Sequence, residues 1–397
     1  MSDPALPRRL MVVLLVQSAL TQALTFVLRP TIAYRALELD VAAAWLGALS
    51  ACFALVPLVL AVPSGHAVDR FGERRVMFAG ASVIVVAGIS FVLLGDSIHG
   101  LVLGSVLLGT GHLGLMVSQQ ATVANTVGPG RYDTAFGYYT FAASLGQALG
   151  PGLIVLIGGD RLIPDTGRIF LAATAMAVVL LGCTLLLPRS RPAAAAARAT
   201  SGRVIDLLRI PGLARALLTS CVVLAAVDIT LVYLPALGEE RGLKSGVIGF
   251  LLTLRAVSSM TTRLFLGWLS RLIGRRRLLI GSVVAAAVSI AAVAIPMPVW
   301  ALALAVIVLG IGLGVSQPLT MSWLAEVAPP GSRGRAMSLR LTGNRLGQVL
   351  VPSVVGLIAG GFGVAAVLWA TAAGLGCVAL AARRLTIDSP AAPRSRC

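Results

Sequence analysis

Charged residues are scarce in this chain of 397 residues, and acidic residues are scarcer than basic ones. Asp, Glu, Lys and Arg together make up 12% of the sequence, whereas hydrophobic residues make up 57% and the mean hydropathy is +0.93. A soluble protein of this size needs a much larger polar share to cover its surface. The composition therefore excludes a soluble globular protein and indicates one that is surrounded mostly by lipid.

Cysteine, histidine and the sequence patterns of enzymes are also sparse. The five cysteines are an odd number without metal-ligand spacing, so they predict neither a disulfide framework nor a metal site. The sequence contains no His-Glu-x-x-His pattern and no Gly-x-x-x-x-Gly-Lys phosphate loop. We therefore expect no enzymatic activity, no cofactor, no metal and no direct use of a nucleotide.

Apolar segments of about 20 residues, the length that a helix needs to cross a bilayer, recur along the chain. They begin near Leu10, Ala44, Val76, His99, Ala135, Arg168, Leu213, Gly246, Leu278, Val299, Ala336 and Gly363. The first segment is too long for a signal peptide and shows no small-residue cleavage site, so we expect it to be a permanent helix. The sequence thus predicts an all-α integral membrane protein with twelve transmembrane helices.

Arginine is distributed unevenly among the predicted loops. Most of the 32 basic residues lie in the terminal segments and the even-numbered loops. Because basic loops remain in the cytoplasm, an even number of spans places both termini there. This accounts for most of the net charge of +17. We expect a multi-pass protein of a bacterial-type inner (cytoplasmic) membrane and no nucleic-acid partner, since no soluble domain carries a basic face.

A basic turn occurs twice in the sequence. The segment GHAVDRFGERR at 65–75 returns about two hundred positions later as GWLSRLIGRRR at 267–277. At nearly the same displacement, LGQALGP at 145–151 corresponds to LGQVLVP at 346–352. An internal duplication of this kind predicts two six-helix bundles related as parallel repeats.

The duplication defines the expected domains. We expect an N-terminal six-helix bundle at 1–187 and a C-terminal six-helix bundle with a short cytoplasmic tail at 211–397. The segment 188–210 is rich in proline, alanine and arginine and poor in large apolar residues, which is typical of a connector. It is expected to form a cytoplasmic linker.

Together these features resemble the major facilitator superfamily over essentially the whole chain. The loop motif of that family, Gly-x-x-x-Asp-Arg-x-Gly-Arg-Arg, is matched by Gly65, Asp69, Arg70, Gly72, Arg74 and Arg75. Glu73 occupies one usually basic place, and Arg271 replaces the aspartate in the second copy. The resemblance implies the family fold, transport by alternating access and a gating role for this turn. The alternative is a basic anchor without a gating role.

The fifth predicted span resembles a motif of efflux antiporters in the same superfamily. The residues that match are Gly137, Gly146, Gly150 and Pro151. Gly146 and Gly150 share a helix face that another helix can approach closely, and Pro151 can bend the helix. Ordinary small-residue packing is the alternative. In the fourth span Ser105 stands where the family is expected to have an arginine implicated in proton relay, which weakens the inference of proton coupling.

Charged residues within the spans are costly in hydrocarbon and usually face a cavity or a partner. Arg255 and Arg345 each lie several helical turns into a predicted span, at a rise of ~1.5 Å per residue, and Asp228 should lie at a similar depth. Two cations and one anion leave a surplus positive charge, which predicts an anionic or zwitterionic organic substrate. The alternative is an ion pair of Asp228 with one of the arginines that merely ties helices together.

Other polar residues complete the expected central cavity. Gln17, Thr21 and Arg29 lie on one stripe of the first span. The remaining candidates are Tyr138, Gln119, Gln317 and Asn344. His112 and Asp228 are the candidates for proton coupling. Two further arginines, Arg263 and Arg340, are expected nearer the cytoplasmic ends of their spans, where they would reach the interface or pair with Glu326.

The resemblance and the charged spans together predict a secondary active transporter that works as a monomer. Its expected activity is proton-linked efflux of small organic molecules that are anionic or zwitterionic and amphipathic in some cases. One alternative is a proton-coupled importer of organic anions. An alternative of another class is a membrane sensor or assembly protein that carries no flux.

Overall fold

The computed structural model describes residues 8–40, 43–128, 130–159, 163–187, 213–243, 245–329 and 331–382. Within these ranges the chain forms α-helices joined by short turns. The predicted linker at 188–210 lies outside the described residues. An all-α chain is the expected outcome of long apolar segments, because a backbone in lipid must satisfy its hydrogen bonds within each segment.

Twelve helices are found in the described part of the chain. They are α1 (Arg8–Glu38), α2 (Ala43–Phe71), α3 (Glu73–Leu94), α4 (Ile98–Thr126), α5 (Tyr132–Gly158), α6 (Thr166–Leu185), α7 (Leu213–Glu240), α8 (Ser245–Leu264), α9 (Leu266–Ile273), α10 (Arg275–Ala294), α11 (Val299–Val327) and α12 (Arg333–Ala382). Among the described residues, nine helical segments are long and apolar enough to cross a membrane.

Most predicted spans coincide with an observed helix, and two differences stand out. Every predicted span except the last begins within three residues of the start of a helix. The short helix α9 was not predicted, and α12 runs without interruption through the spans expected from Ala336 and from Gly363. Glycine residues near 356–363 permit a turn, but glycine alone does not end a helix.

The described contacts divide the chain into two compact units. Unit 1 comprises Met1–Leu207 and Leu324–Arg345, and unit 2 comprises Leu208–Trp323 and Leu346–Cys397. Unit 1 therefore includes the end of α11 and the first part of α12 in addition to α1–α6. The beginning of α12 belongs, by its contacts, with helices from the first copy of the duplication.

Small residues allow the helices of unit 1 to pack closely. A Cβ on Gly111 of α4 would lie 2.6 Å from the carbonyl oxygen of Gly80 in α3, so the two backbones are nearly in contact. Farther along α3, the ring of Phe91 stacks on that of Phe170 with centroids 5.1 Å apart and joins α3 to α6. These contacts hold α3 against both α4 and α6 within unit 1.

Candidate functional site

Asp69 lies near the end of α2 and caps the beginning of α12. Its Oδ1 accepts a hydrogen bond from the backbone N–H of Gly334 at 2.8 Å. Its Oδ2 accepts hydrogen bonds from the backbone N–H and from Nε of Arg335, each at 3.1 Å. A carboxylate at this place satisfies free N–H groups of the first helical turn and interacts favourably with the helix dipole.

The absence of a side chain at Gly65 allows this contact. A Cβ at Gly65 would lie 2.8 Å from the carbonyl oxygen of Gly334 and would overlap the side chain of Ser338. Gly334 is equally confined, because its Cβ would lie 2.7 Å from Oδ1 of Asp69. The two helices therefore meet at a pair of glycines, and the sequence motif supplies only one of them.

Arg333 makes a second contact within unit 1, between the same helix end and the helices α4 and α5. Its Nη1 donates to the carbonyl oxygen of Ala124 at 2.6 Å and to Oδ1 of Asn125 at 3.2 Å, and its Nη2 donates to the hydroxyl of Tyr132 at 3.1 Å. Asn125 in turn donates to Oε1 of Glu73 at 2.5 Å. Glu73, the acidic departure from the family motif, is thus part of this network.

The other residues of the loop motif have separate roles. Gly72 has a φ of 89°, a conformation that favours glycine, and forms the turn between α2 and α3. Arg70 lies over the ring of Phe71 at 5.3 Å. Arg74 donates from Nη2 to the carbonyl oxygen of Leu185 at 3.0 Å. Arg75 is exposed. Only the aspartate and the first glycine of the motif contact α12 in these interactions.

A buried polar network occupies the interior of unit 1. Arg340 of α12 donates from Nη2 to Oε1 of Gln120 at 2.9 Å. The hydroxyl of Tyr139 donates to Oε1 of Gln119 at 3.3 Å, and Nε2 of Gln119 donates to Thr21 at 3.2 Å. Arg340 is only 2% exposed. The expectation that Arg340 reaches the interface is therefore wrong, because its guanidinium has a hydrogen-bond acceptor inside the unit.

The polar stripe of α1 is buried along most of its length. Gln17 donates to the hydroxyl of Thr184 at 2.7 Å. The hydroxyl oxygen of Thr25 lies 2.9 Å from Nδ1 of His112. Gln17, Thr21 and His112 are all buried, whereas Arg29 is exposed and lies over the ring of Phe53 at 4.8 Å from the centroid. Arg29, at the far end of the stripe, is the exposed member of this set.

The efflux-type motif in α5 packs against α1. A Cβ at Gly150 would lie 2.6 Å from Cβ of Phe26, and one at Gly146 would overlap the carbonyl oxygen of Ala19. Gly137 is buried, and Pro151 lies inside the helix, which continues to Gly158. The shared face of Gly146 and Gly150 is thus the contact surface of two neighbouring helices.

Unit 2 places a buried arginine near a hydrogen-bonded carboxylate. Arg255 of α8 is 7% exposed, and its Nε has no hydrogen-bond partner among the described residues. Asp228 of α7 acts on Arg255 electrostatically, but within the described structure the two form no ion pair. Oδ2 of Asp228 accepts a hydrogen bond from Nε2 of Gln348 at 2.7 Å.

The remaining candidates are spread over both units. Gln317 of α11 is partly buried, and Arg345 and Asn344 lie one helical position apart in α12, the first partly and the second fully buried. Tyr138 is 37% exposed, whereas its neighbour Tyr139 is buried in the polar network. The described residues contain no group of three or more His, Cys, Asp or Glu that could hold a metal ion.

Sequence reasoning did not find the partners of the loop motif. Arg333, Arg335 and Ser338 lie in α12, far from the motif in sequence, and nothing in their spacing identifies them. One signal was present for the glycine that meets Gly65. Gly334 follows a predicted loop at the beginning of a span, where a small residue allows close approach of another helix.

Long apolar helices with buried charged side chains are typical of helical membrane proteins with a polar interior. The family model described as Major Facilitator Superfamily matches residues 14–246 and again residues 216–396. The chain therefore belongs to the major facilitator superfamily, and the resemblance inferred from the sequence is confirmed.

Individual relatives agree with this assignment. Multidrug resistance protein 1 of Bacillus subtilis (strain 168) is 28% identical over 116 residues, which is 29% of this chain and 30% of that protein. The crystal structure of the human organic anion transporter MFSD10 (TETRAN) has a TM-score of 0.76 at 17% identity, covering 94% of this chain and 99% of that one. The Escherichia coli fucose:proton symporter FucP has a TM-score of 0.81 at 14% identity, covering 95% and 98%.

Proposed function

We propose that the chain is a proton-linked secondary transporter that exports small organic anions or zwitterions by alternating access. It acts as a monomer in an inner (cytoplasmic) membrane of bacterial type. Twelve spans, arranged as bundles at 1–187 and 211–397 with a linker at 188–210, place both termini in the cytoplasm. Membership of the superfamily supports transport, and the substrate class rests on the residues described below.

The observation that carries the substrate class is the buried charge of Arg255. Taking a guanidinium out of water is costly unless a counter-ion or hydrogen-bond acceptors replace the water. Asp228, the acidic group that acts on Arg255, is already hydrogen-bonded to Gln348 and forms no ion pair with the arginine in the described structure. A carboxylate or phosphate on a substrate would supply the acceptor that Nε of Arg255 lacks.

Alternating access requires a contact that forms in one state and breaks in another. The Asp69 carboxylate on the first turn of α12 is suited to this role, because its three hydrogen bonds connect helices from different copies of the duplication. We propose that this contact closes the cytoplasmic side. Arg333 and Arg340 extend it along α12, and all three contacts would have to break when that side opens.

Export is favoured over uptake by two observations. The relative from Bacillus subtilis is named for multidrug resistance, although it matches less than a third of this chain. Gly146 and Gly150 of the efflux-type motif in α5 pack directly on α1. The likeness to the organic anion transporter and to the symporter shows the fold alone and does not decide the direction of transport.

The test is flux in proteoliposomes that contain the purified protein and a pH gradient. The flux of each compound in a panel of organic anions and organic cations is compared between the wild type and the variants Arg255→Gln, Arg255→Lys and Arg345→Gln. Arg215→Gln, an exposed arginine on α7, is the matched control. The proposal predicts anion flux that depends on the gradient, is lost in Arg255→Gln and is unchanged in the control.

Three outcomes would contradict parts of this proposal. Anion flux retained by both Arg255→Gln and Arg345→Gln would remove the anion site. Flux in which the anion and the proton move in the same direction would make the protein an importer. No flux of any compound under any gradient would favour a sensor or assembly protein.

A further inference from the structure

The backbones of α8 and α11 meet at Arg255. A Cβ on Gly310 of α11 would lie 2.4 Å from the carbonyl oxygen of Arg255 and 2.9 Å from Cβ of Ser258. One turn farther along, a Cβ on Gly314 would lie 2.8 Å from the carbonyl oxygen of Ser259. Small residues four positions apart let two helices approach until their backbones are almost in contact. The segment of α8 that carries the buried guanidinium is therefore held by a close approach that depends on glycine.

The hydroxyl groups next to Arg255 on α8 do not hold its Nε, which has no hydrogen-bond partner among the described residues. The hydroxyl of Ser258 donates to the carbonyl oxygen of Leu254 at 2.7 Å, and that of Thr262 donates to the carbonyl oxygen of Ser258 at 2.8 Å. Both hydroxyls thus bond within their own helix. The position of the guanidinium therefore depends on where the α8 backbone lies.

The same backbone contact occurs in the first copy of the duplication. At the displacement that relates the duplicated motifs, Gly310 corresponds to Gly109 of α4, and Arg255 corresponds to Phe53 of α2. A Cβ on Gly109 would lie 2.6 Å from the carbonyl oxygen of Phe53. Phe53 and Arg255 are both buried. The close approach is thus a property of the repeated fold, whereas the guanidinium is specific to the second copy.

Alanine at position 310 would require the backbone of α8 to move. A Cβ closer than 3.0 Å to another atom forces a shift, and the atom it would meet at Arg255 belongs to the backbone and not to a flexible side chain. Close-packed interiors transmit such a shift to their neighbours. Groups that bind a ligand must be held within about 0.5 Å of their productive geometry. A shift that the packing tolerates is therefore large enough to displace the guanidinium from its substrate.

We propose that Gly310 is a positioning residue for Arg255. By leaving room for the α8 backbone, it sets the depth at which the guanidinium meets the anionic group of the substrate, without contacting the substrate itself. This role rests on the proposed function, since it requires that an anion binds at Arg255. It does not depend on the direction of transport or on the coupling ion.

The experiment is equilibrium exchange of radiolabelled benzoate in proteoliposomes that contain the purified full-length protein. If the wild type does not exchange benzoate, the anion of the panel that it exchanges fastest is used. The half-saturating concentration is measured for the wild type, Gly310→Ala, Arg255→Gln and the double variant. Gly109→Ala is the matched control, because it places the same methyl group against a backbone carbonyl in the first copy. The thermal unfolding of each variant is measured in parallel.

Gly310→Ala should raise the half-saturating concentration about tenfold, since the displaced guanidinium no longer meets the anion at its productive distance. Gly109→Ala should lower the unfolding temperature as much as Gly310→Ala does, but keep the half-saturating concentration within about twofold of the wild type. When Arg255→Gln is already present, Gly310→Ala should cause no further rise, because no guanidinium remains to be displaced.

A second variant covers the case in which Gly310→Ala folds poorly. The Cβ of Gly314→Ala would lie 2.8 Å from the carbonyl oxygen of Ser259, a milder overlap one turn away from Arg255. Its half-saturating concentration should rise by a smaller factor, about threefold. A value equal to that of the wild type in both glycine variants would overturn the positioning role.

The remaining outcomes separate this role from the proposed function. An equal rise in Gly109→Ala, or the same rise with and without Arg255→Gln, would make Gly310 a packing residue only and leave the anion site intact. No exchange of any anion by the wild type, or equal half-saturating concentrations in the wild type and Arg255→Gln, would contradict the proposed function and the positioning role with it.

Discussion

Asp69 and Arg335 are joined twice, because Oδ2 of the aspartate accepts hydrogen bonds from both the backbone N–H and the side chain of the arginine at 3.1 Å. The backbone contact depends on α12 being helical at this point, since it uses an N–H of the first turn. The side-chain contact adds an ion pair. The carboxylate therefore binds both the backbone at the beginning of α12 and the side chain of Arg335.

Replacing Asp69 with Asn should weaken closure of the cytoplasmic side. The amide can still accept one hydrogen bond from the helix, but the charge is lost, and hydrogen bonds to charged groups contribute about 1.5–3 kcal/mol each. The reporter is Ser338→Cys, at a side chain that is buried beside Gly65, in a protein whose native cysteines have been replaced. Its modification by a water-soluble thiol reagent should become about tenfold faster or more.

The matched control for that variant is Asp165→Asn. Asp165 also accepts a hydrogen bond at a helix N-terminus, from the N–H of Arg168 in α6 at 3.0 Å, and its described hydrogen bonds and ion pairs do not involve α12. Its replacement should leave the labelling rate at Ser338→Cys unchanged. An equal rate in Asp69→Asn and the wild type would mean that the aspartate does not hold the contact closed.

A methyl group at Gly65 should separate α2 from α12. The added Cβ would lie 2.8 Å from the carbonyl oxygen of Gly334, and overpacking of this kind costs about 1–3 kcal/mol. We expect Gly65→Ala to reduce flux and to accelerate labelling at Ser338→Cys. Gly128→Ala is the control, because nothing lies within 4 Å of the Cβ it would add. If both variants behave like the wild type, close approach at Gly65 has no role in transport.

For the loop motif, the sequence alone identified the residues of the motif but not the residues that they contact. Gly65 and Asp69 were identifiable because their residue types match a family pattern and because each suits a helix contact. Their partners Gly334 and Ser338 were not, since which helix packs on which is decided by contacts between distant segments. The same limit applies to Arg340. Its position near the end of a span suggested that its side chain reaches the membrane interface, whereas the structure shows it bound to a buried acceptor, Oε1 of Gln120.

The sequence predicted the positions of the helices better than it predicted where they end or what surrounds their side chains. The apolar segments located the beginnings of α1 to α8 closely, because length and hydropathy are properties of the local sequence. The uninterrupted α12 was missed since glycine permits a turn without requiring one. The four-residue spacing puts Gln17 and Thr21 on one face of α1, and both are buried, but periodicity does not say whether α4 and α6 pack on that face.

Close packing of α5 on α1 predicts a stability difference between two neighbouring glycines. Gly150→Ala would place a Cβ 2.6 Å from Cβ of Phe26, whereas Gly152→Ala would add one with nothing within 4 Å. We expect the first variant to lower the melting temperature by about 2 °C or more. The second should leave it unchanged or raise it, since alanine favours helix by about 1 kcal/mol. Equal melting temperatures would mean that the glycine face is not needed for packing.

Proton coupling can be separated from substrate binding at Asp228 and His112. Equilibrium exchange of a substrate across the membrane without a pH gradient needs binding but no net proton movement. We expect Asp228→Asn to retain exchange, because the amide can still bond to Gln348, and to lose flux driven by a pH gradient. His112→Asn serves as the comparison. Gradient-driven flux that survives in Asp228→Asn and is lost in His112→Asn would assign coupling to the histidine, and survival in both would remove both candidates.

The most direct test of the account is equilibrium exchange of a radiolabelled organic anion in proteoliposomes, measured for the wild type, Arg255→Gln and Arg255→Lys. Because no gradient is applied, the measurement reports the substrate site and not the driving force. The account predicts exchange in the wild type, partial exchange in the lysine variant and a loss of at least about tenfold in the glutamine variant, since a hydrogen bond to a charged group contributes about 1.5–3 kcal/mol. Exchange at the wild-type rate in Arg255→Gln would contradict the central claim that this buried guanidinium binds the substrate.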